Sequence, residues 1–300
     1  MKKIIKLMVA LGIMSLLLVG CSSNNDNGKT EAENTEKVED QNENKTEDKD
    51  TSTKDEDTFV VGMEAAYAPF NWTQMDDSNG AVQIDGLKEY AGGYDVEMAK
   101  RIADGLGKKL VVKKMEWNGL PLSILSNKID AVIAGMSPSD ERREQMDFTD
   151  PYYSSDLVIV VKKDGPYSDV TSINDFEGAK ITAMMGTIHY NVIDQVKGID
   201  KMEPMDDFPA MRVALEAGKI DGYISEVPEA ISASSANDNF TYNELTDGFV
   251  VEDPEQVSIA VGVAKDSELV DKINEILADI PQSERDQIMK DAIQNQPAMN

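Results

Sequence analysis

The chain has 300 residues, of which 41% are hydrophobic, and its 56 Asp and Glu against 29 Lys and Arg give a formal net charge of -27. An acidic excess of this size repels phosphate backbones and anionic membrane surfaces, which argues against nucleic acid as a partner. The single cysteine excludes a fold held by disulfides. The length accommodates one large domain or two ordinary ones.

The first 20 residues have the pattern of a secretory signal peptide. Three lysines lie within the first six residues and precede an apolar run from Leu7 to Val19. This run is shorter than the roughly 20 residues that a membrane-spanning helix needs. It leads into Leu18-Val19-Gly20-Cys21, which resembles the lipobox of bacterial lipoproteins, where the cysteine becomes the lipidated, palmitate-bearing N-terminus. Cys21 is then an anchor, and a plain secretory signal is the alternative.

Residues 21–57 are predicted to be the lipidated cysteine and a disordered acidic tether. From Ser22 to Asp57, thirteen acids and five lysines stand among other polar residues, without an aromatic side chain. Such a segment buries too little apolar surface to offset the entropy of ordering it. As a charged coil it separates anchor and domain by roughly 30 to 40 Å. We therefore expect the protein on the extracellular face of the cell membrane, and the long tether favours a Gram-positive surface.

From Thr58 onward, short apolar strands alternate with helical patterns. Phe59–Met63 is a predicted strand, and apolar residues at helical spacing follow between Val96 and Leu106. The next predicted elements are a strand at Leu110–Val112, a short helix at Gly119–Ser126 and a buried strand at Ile129–Ala134. This alternation predicts an α/β fold with a largely parallel sheet.

One seven-residue segment recurs within the chain. Lys128–Ala134 and Lys219–Ser225 both begin Lys-Ile-Asp and lie 91 residues apart. Two copies are too few for a solenoid. They indicate two lobes of related plan, although coincidence between two common helix-strand connections explains them equally well. Ligands of open α/β sheets bind beyond the carboxyl ends of strands, so the loops at 135–142 and 225–229 are the candidate binding loops.

These two loops contain groups that suit an α-amino acid. Ser139 is placed to cap a helix that starts at Asp140, which brings backbone N–H groups and the Arg142 guanidinium into one small region. A planar guanidinium can hold a carboxylate by two parallel hydrogen bonds. Glu226, at the other strand end, suits an ammonium group. The alternative for Arg142 is a solvated pair with Arg143 on a helix surface.

Several motifs occur in the order found in one known family. The chain resembles the bacterial extracellular solute-binding proteins of family 3, the amino-acid-binding proteins of ABC importers, at Tyr67-Ala68-Pro69-Phe70, Gly93-Tyr94-Asp95-Val96, Trp117-Asn118-Gly119-Leu120, the loop 135–142, Asp147-Phe148-Thr149-Asp150-Pro151-Tyr152 and Gly186-Thr187. The resemblance implies a two-lobed, periplasmic-binding-protein-like α/β fold with two hinge strands. Lobe one would comprise residues 58–160 and 258–300, and lobe two residues 161–257.

The resemblance also implies which residues bind the ligand. Arg142 would clamp the carboxylate, and Glu226 would hold the ammonium where the family usually has Asp. Glu64 matches a position that is acidic in members taking basic amino acids, so arginine, lysine or histidine is the expected ligand. Tyr67 and Trp117 would sandwich the ligand stem. The expected ligand-binding residues are Arg142, Ser137, Gly135, Glu226, Tyr67, Trp117, Glu64, Thr187, Ile188 and His189.

Ile188 differs from the family at its position, and His189 has an alternative interpretation. Ile188 replaces a Thr found in some members and keeps its backbone N–H. His189, the only histidine, falls beside the site. When neutral it can accept a hydrogen bond, and the alternative is a helix residue that points to solvent.

The expected function is binding without covalent change. The protein would be the substrate-binding lipoprotein of an amino-acid ABC importer, a monomer that closes its cleft on a free amino acid and delivers it to a membrane permease. No cofactor and no metal are expected. Two alternatives stay open, a dehydratase-like enzyme that uses Glu226 as a general acid and a surface amino-acid sensor.

Overall fold

The apolar runs of the sequence form short strands and helices in the computed structural model, which describes residues 56–297. In chain order the strands are β1 (Thr58–Met63), β2 (Ala66–Tyr67), β3 (Asn71–Gln74), β4 (Val82–Gln83), β5 (Tyr90–Gly92), β6 (Lys109–Lys114), β7 (Ala131–Val132), β8 (Met146–Phe148), β9 (Tyr153–Ser154), β10 (Leu157–Lys162), β11 (Lys180–Thr182), β12 (Asp200–Lys201), β13 (Gly222–Glu226), β14 (Phe240–Asn243), β15 (Ser258–Ile259) and β16 (Gly262–Ala264). The helices are α1 (Tyr94–Gly105), α2 (Leu120–Leu125), α3 (Asp140–Gln145), α4 (Ile188–Asn191), α5 (Phe208–Glu216), α6 (Val227–Ala236), α7 (Leu269–Ala278) and α8 (Gln282–Asn295).

The first sheet has the strand order β6-β1-β7-β16-β8. β1 lies between β6 and β7 and is parallel to both, with Val61 opposite Val112 on one side and Ala131 on the other. Five of the six β1 residues are buried, as expected for a parallel strand covered on both faces. Helix α1 contacts β6 and also packs on α7 and α8. The elements around this sheet form the first lobe.

The second sheet has the order β12-β11-β13-β10-β14. β11 and β13 are parallel, whereas β10 is antiparallel to β13 and β14. Helices α5 and α6 pack against β10 and β13, and these elements form the second lobe. The predicted lobe limit between residues 160 and 161 falls inside β10, which pairs within the second sheet from Ile159 to Lys162. The residue limits of the lobes stay a prediction.

A two-stranded ribbon lies where the chain passes between the lobes. β9 and β15 pair antiparallel, with Ser154 opposite Ser258 and Tyr153 opposite Ile259. The chain leaves the first lobe after β9 to enter β10, and it returns through β15 to β16. Two hinge strands are thus present, as expected, but the sequence predicted Leu157–Val161 and Ser258–Val263 for them. Leu157–Val161 instead pairs with β13 inside the second sheet, and β9 is the partner of β15 in the ribbon. Few backbone hydrogen bonds join strands this short, so rotation of the lobes about the ribbon breaks little structure.

The repeated segments occupy corresponding places in the two sheets. Lys128–Ala134 contains β7, which is parallel to β1, and Lys219–Ser225 enters β13, which is parallel to β11. The first copy was predicted as a six-residue strand, but the ladder is limited to Ala131 and Val132 because the chain turns away towards Gly135, whose φ is +65°. Each copy therefore precedes one of the predicted binding loops.

A buried carboxylate fixes the end of β7 to α1. The Asp95 side chain accepts hydrogen bonds from the Tyr152 hydroxyl (2.6 Å), the Asn71 amide (2.8 Å) and the Gly135 backbone N–H. Burial raises the pKa of Asp95 to about 6, and the bonds from Tyr152 and Asn71 oppose that shift. Asp95, Tyr152 and Gly135 belong to three of the sequence motifs, and their hydrogen bonds join these motifs in space. The cluster positions the loop that leads to Arg142.

The expected signal peptide (1–20), the lipidation site Cys21 and the tether up to residue 55 lie outside the described residues. Within residues 56–297, no helix combines the length and the apolar character needed to cross a membrane.

Candidate functional site

Arg142 occupies the position that the sequence predicted, in the first turn of α3. The predicted cap is confirmed, because the Ser139 hydroxyl accepts a hydrogen bond from the Arg142 backbone N–H (3.4 Å). The guanidinium donates to the Ser137 carbonyl through Nη1 (2.7 Å) and to the Gly186 carbonyl through Nη2 (2.8 Å). Its carbon atom lies 5.1 Å from the centre of the Trp117 ring, a cation–π distance.

The two carbonyls that receive Arg142 come from different lobes. Ser137 follows β7 of the first sheet, whereas Gly186 precedes α4, which contacts β13 of the second sheet. Burial lowers the pKa of Arg142 to about 10, an effect that the negative charge of Glu141 opposes. The side chain is therefore cationic at neutral pH. It is a charged hydrogen-bond donor at the boundary between the lobes. The two arginines are not a solvated pair, because Arg142 bonds to the Ser137 and Gly186 carbonyls and Arg143 forms an ion pair with Glu255.

Arg142 lines two adjoining cavities. The outer cavity has a volume of about 200 Å³ and is lined by Trp117, Asn118, Pro121, Met136, Ser137, Ser139, Glu141, Arg142, Gln145, Gly186, Thr187, Ile188, Asn191 and Gln256. The inner cavity has a volume of about 10 Å³, which suits one water-sized group. It is lined by Tyr67, Trp117, Gly135, Ser137, Arg142, Met184, Thr187, Ile188, His189 and Phe208. Eight of the ten residues expected to bind the ligand thus line one or both cavities.

Tyr67 forms the wall of the inner cavity together with an aromatic residue of the second lobe. Its ring stacks on Phe208 with centres 4.4 Å apart and planes 5° from parallel. Phe208 begins α5, which is capped by the Asp207 side chain through the Ala210 N–H (2.7 Å). The other edge of Tyr67 touches Gly135, where an added Cβ would lie 2.6 Å from a ring carbon. Tyr67 is therefore held between the two lobes.

Glu64 lies directly after β1, outside the residues that line the two cavities. Its side chain is buried, and Oε2 has no hydrogen-bond partner among the described residues. Burial raises the pKa of Glu64 to about 8, and the negative charge of Asp207 adds to the shift. Carboxylates of both lobes therefore act on one buried acid, a setting in which a cation would be stabilised.

Glu226 ends β13 and occupies the N-cap position of α6 without a capping hydrogen bond from its side chain, and it too lies outside the residues lining the cavities. It is 5% exposed, and burial followed by the charge of Glu229 raises its pKa to about 8. Glu229, the alternative to Glu226 as an ammonium holder, is engaged by a buried network. It accepts hydrogen bonds from Arg212, Tyr223 and Ser225 at 2.8, 3.1 and 2.6 Å. Glu229 is thus fixed within the second lobe.

Thr187, Ile188 and His189 surround the start of α4. The Thr187 hydroxyl donates to the Met184 carbonyl (2.8 Å), and His189 Nδ1 lies 3.2 Å from the same hydroxyl oxygen. His189 is 6% exposed, so it is not the solvent-facing residue of the alternative interpretation. Its ring meets Phe208 edge-on, with centres 5.9 Å apart.

The sequence analysis missed several residues that line the cavities. Phe208 is the most consequential, since it covers the Tyr67 ring. The Asp207–Phe208–Pro209 run indicated a helix start, but which side chain would meet Tyr67 depends on how the lobes approach one another. The other cavity residues absent from the expected set are Asn118, Pro121, Met136, Ser139, Glu141, Gln145, Met184, Gly186, Asn191 and Gln256.

The chain is similar to proteins of one known family. The family model of the bacterial extracellular solute-binding proteins, family 3, matches residues 59–294. The chain is 30% identical to the arginine-binding extracellular protein ArtP of Bacillus subtilis over 228 residues, which cover 74% of this chain and 80% of that protein. It is 33% identical to the L-cystine-binding protein TcyJ of Escherichia coli over 172 residues, 57% of this chain and 59% of that protein.

A solved structure of similar architecture contains a basic amino acid. It is the crystal structure of AbpA, an amino acid ABC transporter substrate-binding protein of Streptococcus pneumoniae, bound to L-arginine. The TM-score is 0.67 and the sequence identity 28%, over 79% of this chain and 95% of that one.

Proposed function

Because this chain belongs to the bacterial extracellular solute-binding proteins of family 3, we propose that it binds a free L-amino acid between its lobes and delivers it to the permease of an ABC importer. Members of this family bind their solutes and are not enzymes, so the chain is not an enzyme and the dehydratase alternative is not pursued. The anchor at Cys21, the tether and the extracellular position at the membrane are part of the same proposal.

The observation that carries the proposal is the Arg142 guanidinium. It is cationic, lies over Trp117, donates to one carbonyl acceptor from each lobe and lines both cavities. Its two N–H groups now reach the Ser137 and Gly186 carbonyls. A ligand carboxylate is a stronger, charged acceptor for the same fork of donors. Replacing two neutral carbonyls by one carboxylate would therefore favour the bound state.

A basic amino acid is the ligand that the charges favour. Glu64 offers a buried carboxylate oxygen that lacks a partner within residues 56–297, and Asp207 adds negative charge from the second lobe. A guanidinium, ammonium or imidazolium group would relieve the desolvation cost of Glu64. The names of ArtP and AbpA connect related proteins with arginine. We therefore propose arginine, lysine or histidine, with Glu226 as the partner of the α-ammonium group.

Binding would be coupled to the relative position of the lobes. The Tyr67–Phe208 stack and the bond from Arg142 to Gly186 both join the first lobe to the second. A further contact joins Gln296, after α8, to the Ser232 side chain and carbonyl on α6. A ligand that touches Arg142 in one lobe and Glu226 in the other gains both contacts only when the lobes are together. It shifts the population by that difference in affinity.

The test is isothermal calorimetry of the full chain against the twenty amino acids, ornithine, citrulline and cystine. Arg142→Ala should weaken binding of the best ligand by about 3 to 5 kcal/mol, roughly two to four orders of magnitude, because the carboxylate is left without its charged partner. The matched control is Arg143→Ala, because Arg143 is the next residue of α3, pairs with Glu255 and does not line either cavity.

Glu64→Gln separates the ligand class from the transport role. It should weaken arginine much more than citrulline, whose ureido side chain has the same reach but no charge. Unchanged affinity in Arg142→Ala, or a panel without any binding amino acid, would contradict the proposed function. Strong binding of neutral ligands alone would keep amino-acid binding and discard the basic ligand.

A further inference from the structure

The two ring nitrogens of His189 differ in their surroundings. Nδ1 lies next to the Thr187 hydroxyl, whereas Nε2 has no hydrogen-bond partner among the described residues. A neutral imidazole carries a single proton, so one nitrogen donates and the other accepts. Burial, and secondarily the positive charge of Arg142, lowers the pKa of His189 to about 4, which keeps the ring neutral under ordinary conditions.

The Thr187 hydroxyl determines which nitrogen has the proton. This hydroxyl has one hydrogen, and the Met184 carbonyl receives it at 2.8 Å. The hydroxyl oxygen can then only accept from His189 Nδ1, which lies 3.2 Å away. The proton of the ring is thus on Nδ1. His189 Nε2 has a free lone pair and can act only as an acceptor.

Nε2 is buried without a hydrogen-bond partner among the described residues. Leaving a buried acceptor unsatisfied is destabilising, so a packed apolar residue would serve a purely structural role better. His189 lines the inner cavity together with Arg142 and Tyr67, and this cavity suits one water-sized group such as the tip of an N–H donor.

We propose that His189 Nε2 accepts a hydrogen bond from an N–H group of the bound amino acid and thereby selects ligands with a donor at that point over acidic ones. The inference rests on the proposed amino-acid binding and adds a selectivity residue to it. The ligand carboxylate goes to the cationic Arg142. A second carboxylate, in aspartate or glutamate, would place lone pairs against the lone pair of Nε2, which is repulsive.

The protein suits a direct test because it contains one histidine. Full-length chain labelled with ¹⁵N-histidine gives a single imidazole spin system, in which we expect a protonated Nδ1 and a bare Nε2. Saturation with L-arginine should move the Nε2 resonance upfield, as for an accepted hydrogen bond, and leave Nδ1 protonated. A proton on Nε2 before ligand is added, or an Nε2 shift that does not respond to bound arginine, would overturn the proposal.

Two variants separate acceptance from packing. His189→Phe keeps the ring bulk against Phe208 but removes the acceptor, and it should weaken arginine binding about tenfold or more. His189→Gln retains an oxygen near the Nε2 position and should bind within about threefold of wild type. Without ligand, His189→Phe should be at least as stable as wild type, because no unsatisfied acceptor is buried.

Each outcome of the binding test has one meaning. Loss of affinity in His189→Phe with rescue in His189→Gln supports the proposal, and equal affinity of all three proteins refutes it. If wild type binds arginine but the Nε2 resonance does not shift, the proposed function stands and only the role proposed for His189 is wrong. If wild type binds no amino acid of the panel, the proposed function fails and the selectivity role fails with it.

Discussion

Asp130 and Asp221 make the same two hydrogen bonds in different sheets. Asp130 donates its N–H to the Val60 carbonyl (2.7 Å) and accepts the Val60 N–H on Oδ2 (2.7 Å). Asp221 does the same with Lys180, at 2.8 and 2.9 Å. Each aspartate thus ties the start of its repeat to the strand beside it. The two repeats are structural equivalents, and coincidence no longer explains their common Lys-Ile-Asp start.

This equivalence predicts matched effects on stability. Asp130→Ala and Asp221→Ala should each destabilise the protein by about 1–3 kcal/mol, because each leaves a strand N–H without its acceptor. Urea unfolding measures both. Hydrogen exchange should localise the Asp130→Ala effect to β1 and the Asp221→Ala effect to β11, and protection lost equally in both lobes would contradict two separately tied sheets.

Breaking the buried ion pair of the second lobe should cost more than breaking one at the surface. Arg212 and Glu229 are 6% and 0% exposed and lie 2.7 Å apart. Glu229→Gln should lower the free energy of unfolding by about 3–5 kcal/mol, since Arg212 is left charged and buried. In the control pair, Lys272 and Glu268 are 55% and 88% exposed. Glu268→Gln should therefore change the free energy of unfolding by less than about 1 kcal/mol. Equal effects in chemical denaturation would contradict this account.

Stability should fall as the pH rises from 6.5 to 8. The pKa values of Glu64 and Glu226 are raised to about 8 in the folded state, so in this window the folded protein holds more protons than the unfolded chain. Asp95, whose pKa is raised to about 6, titrates mainly below this window. His189 has a pKa of about 4 when folded and 6.5 when unfolded, so it opposes the fall slightly near pH 6.5 and no longer does so near pH 8. Each raised glutamate contributes a slope of at most about 1.4 kcal/mol per pH unit.

Denaturant unfolding at several pH values checks that slope. Glu226→Gln should remove part of the slope of stability against pH. The double variant with Glu226→Gln and Glu64→Gln should flatten that slope. A ligand ammonium or guanidinium favours the ionised carboxylates, so binding should release protons near pH 7. Calorimetry in buffers with different ionisation enthalpies would detect them. A slope that survives in the double variant would show that other groups control the pH dependence.

Gly135 should tolerate no side chain. Its φ is +65°, and an added Cβ would lie 2.6 Å from a Tyr67 ring carbon. Gly135→Ala should lower stability by about 1–3 kcal/mol and weaken the ligand by displacing Tyr67. Gly107 has a φ of +67° and open space around it, so Gly107→Ala should show the backbone strain without loss of affinity. Similar ligand affinities in the two variants would argue against a role for the Tyr67 position.

Cys21→Ser tests the proposed anchor. We expect the wild-type protein in the membrane fraction and the variant in the medium, because lipidation requires the cysteine sulfur. Fractionation and labelling with a palmitate analogue measure both properties, and Ser23→Ala serves as a control. Wild-type protein in the medium would favour a plain signal peptide, and retention of Cys21→Ser in the membrane fraction would favour another mode of attachment.

Local patterns predicted the scaffold better than the cavity wall. The cap at Ser139, the strand at Phe59–Met63 and the helix after Gly93 were predictable because each depends on neighbouring residues. The two-lobed fold followed from the motifs in their order. Phe208 was not predictable, because its contact with Tyr67 joins elements of different lobes. The free lone pair of His189 was equally hidden, since it depends on which acceptor receives the Thr187 proton.

Glu64 and Glu226 show a second limit of prediction from sequence. Both were assigned to the ligand site because of the family resemblance. The structure buries both, and neither side chain lines the two cavities beside Arg142. Their roles in binding a cation depend on how the cleft rearranges around a ligand. Both stay predictions, and the variants above test them separately from Arg142.

The position of Trp117 should make ligand binding detectable by tryptophan fluorescence. The chain has two tryptophans, and Trp117 lies under the Arg142 guanidinium, whereas Trp72 is buried in the first lobe. Any ligand that draws the guanidinium towards its carboxylate changes the charge above the Trp117 indole and hence its emission. Trp72→Phe would leave a single chromophore at the cleft, so ligand exchange could be followed in real time with an optical probe that the protein already contains.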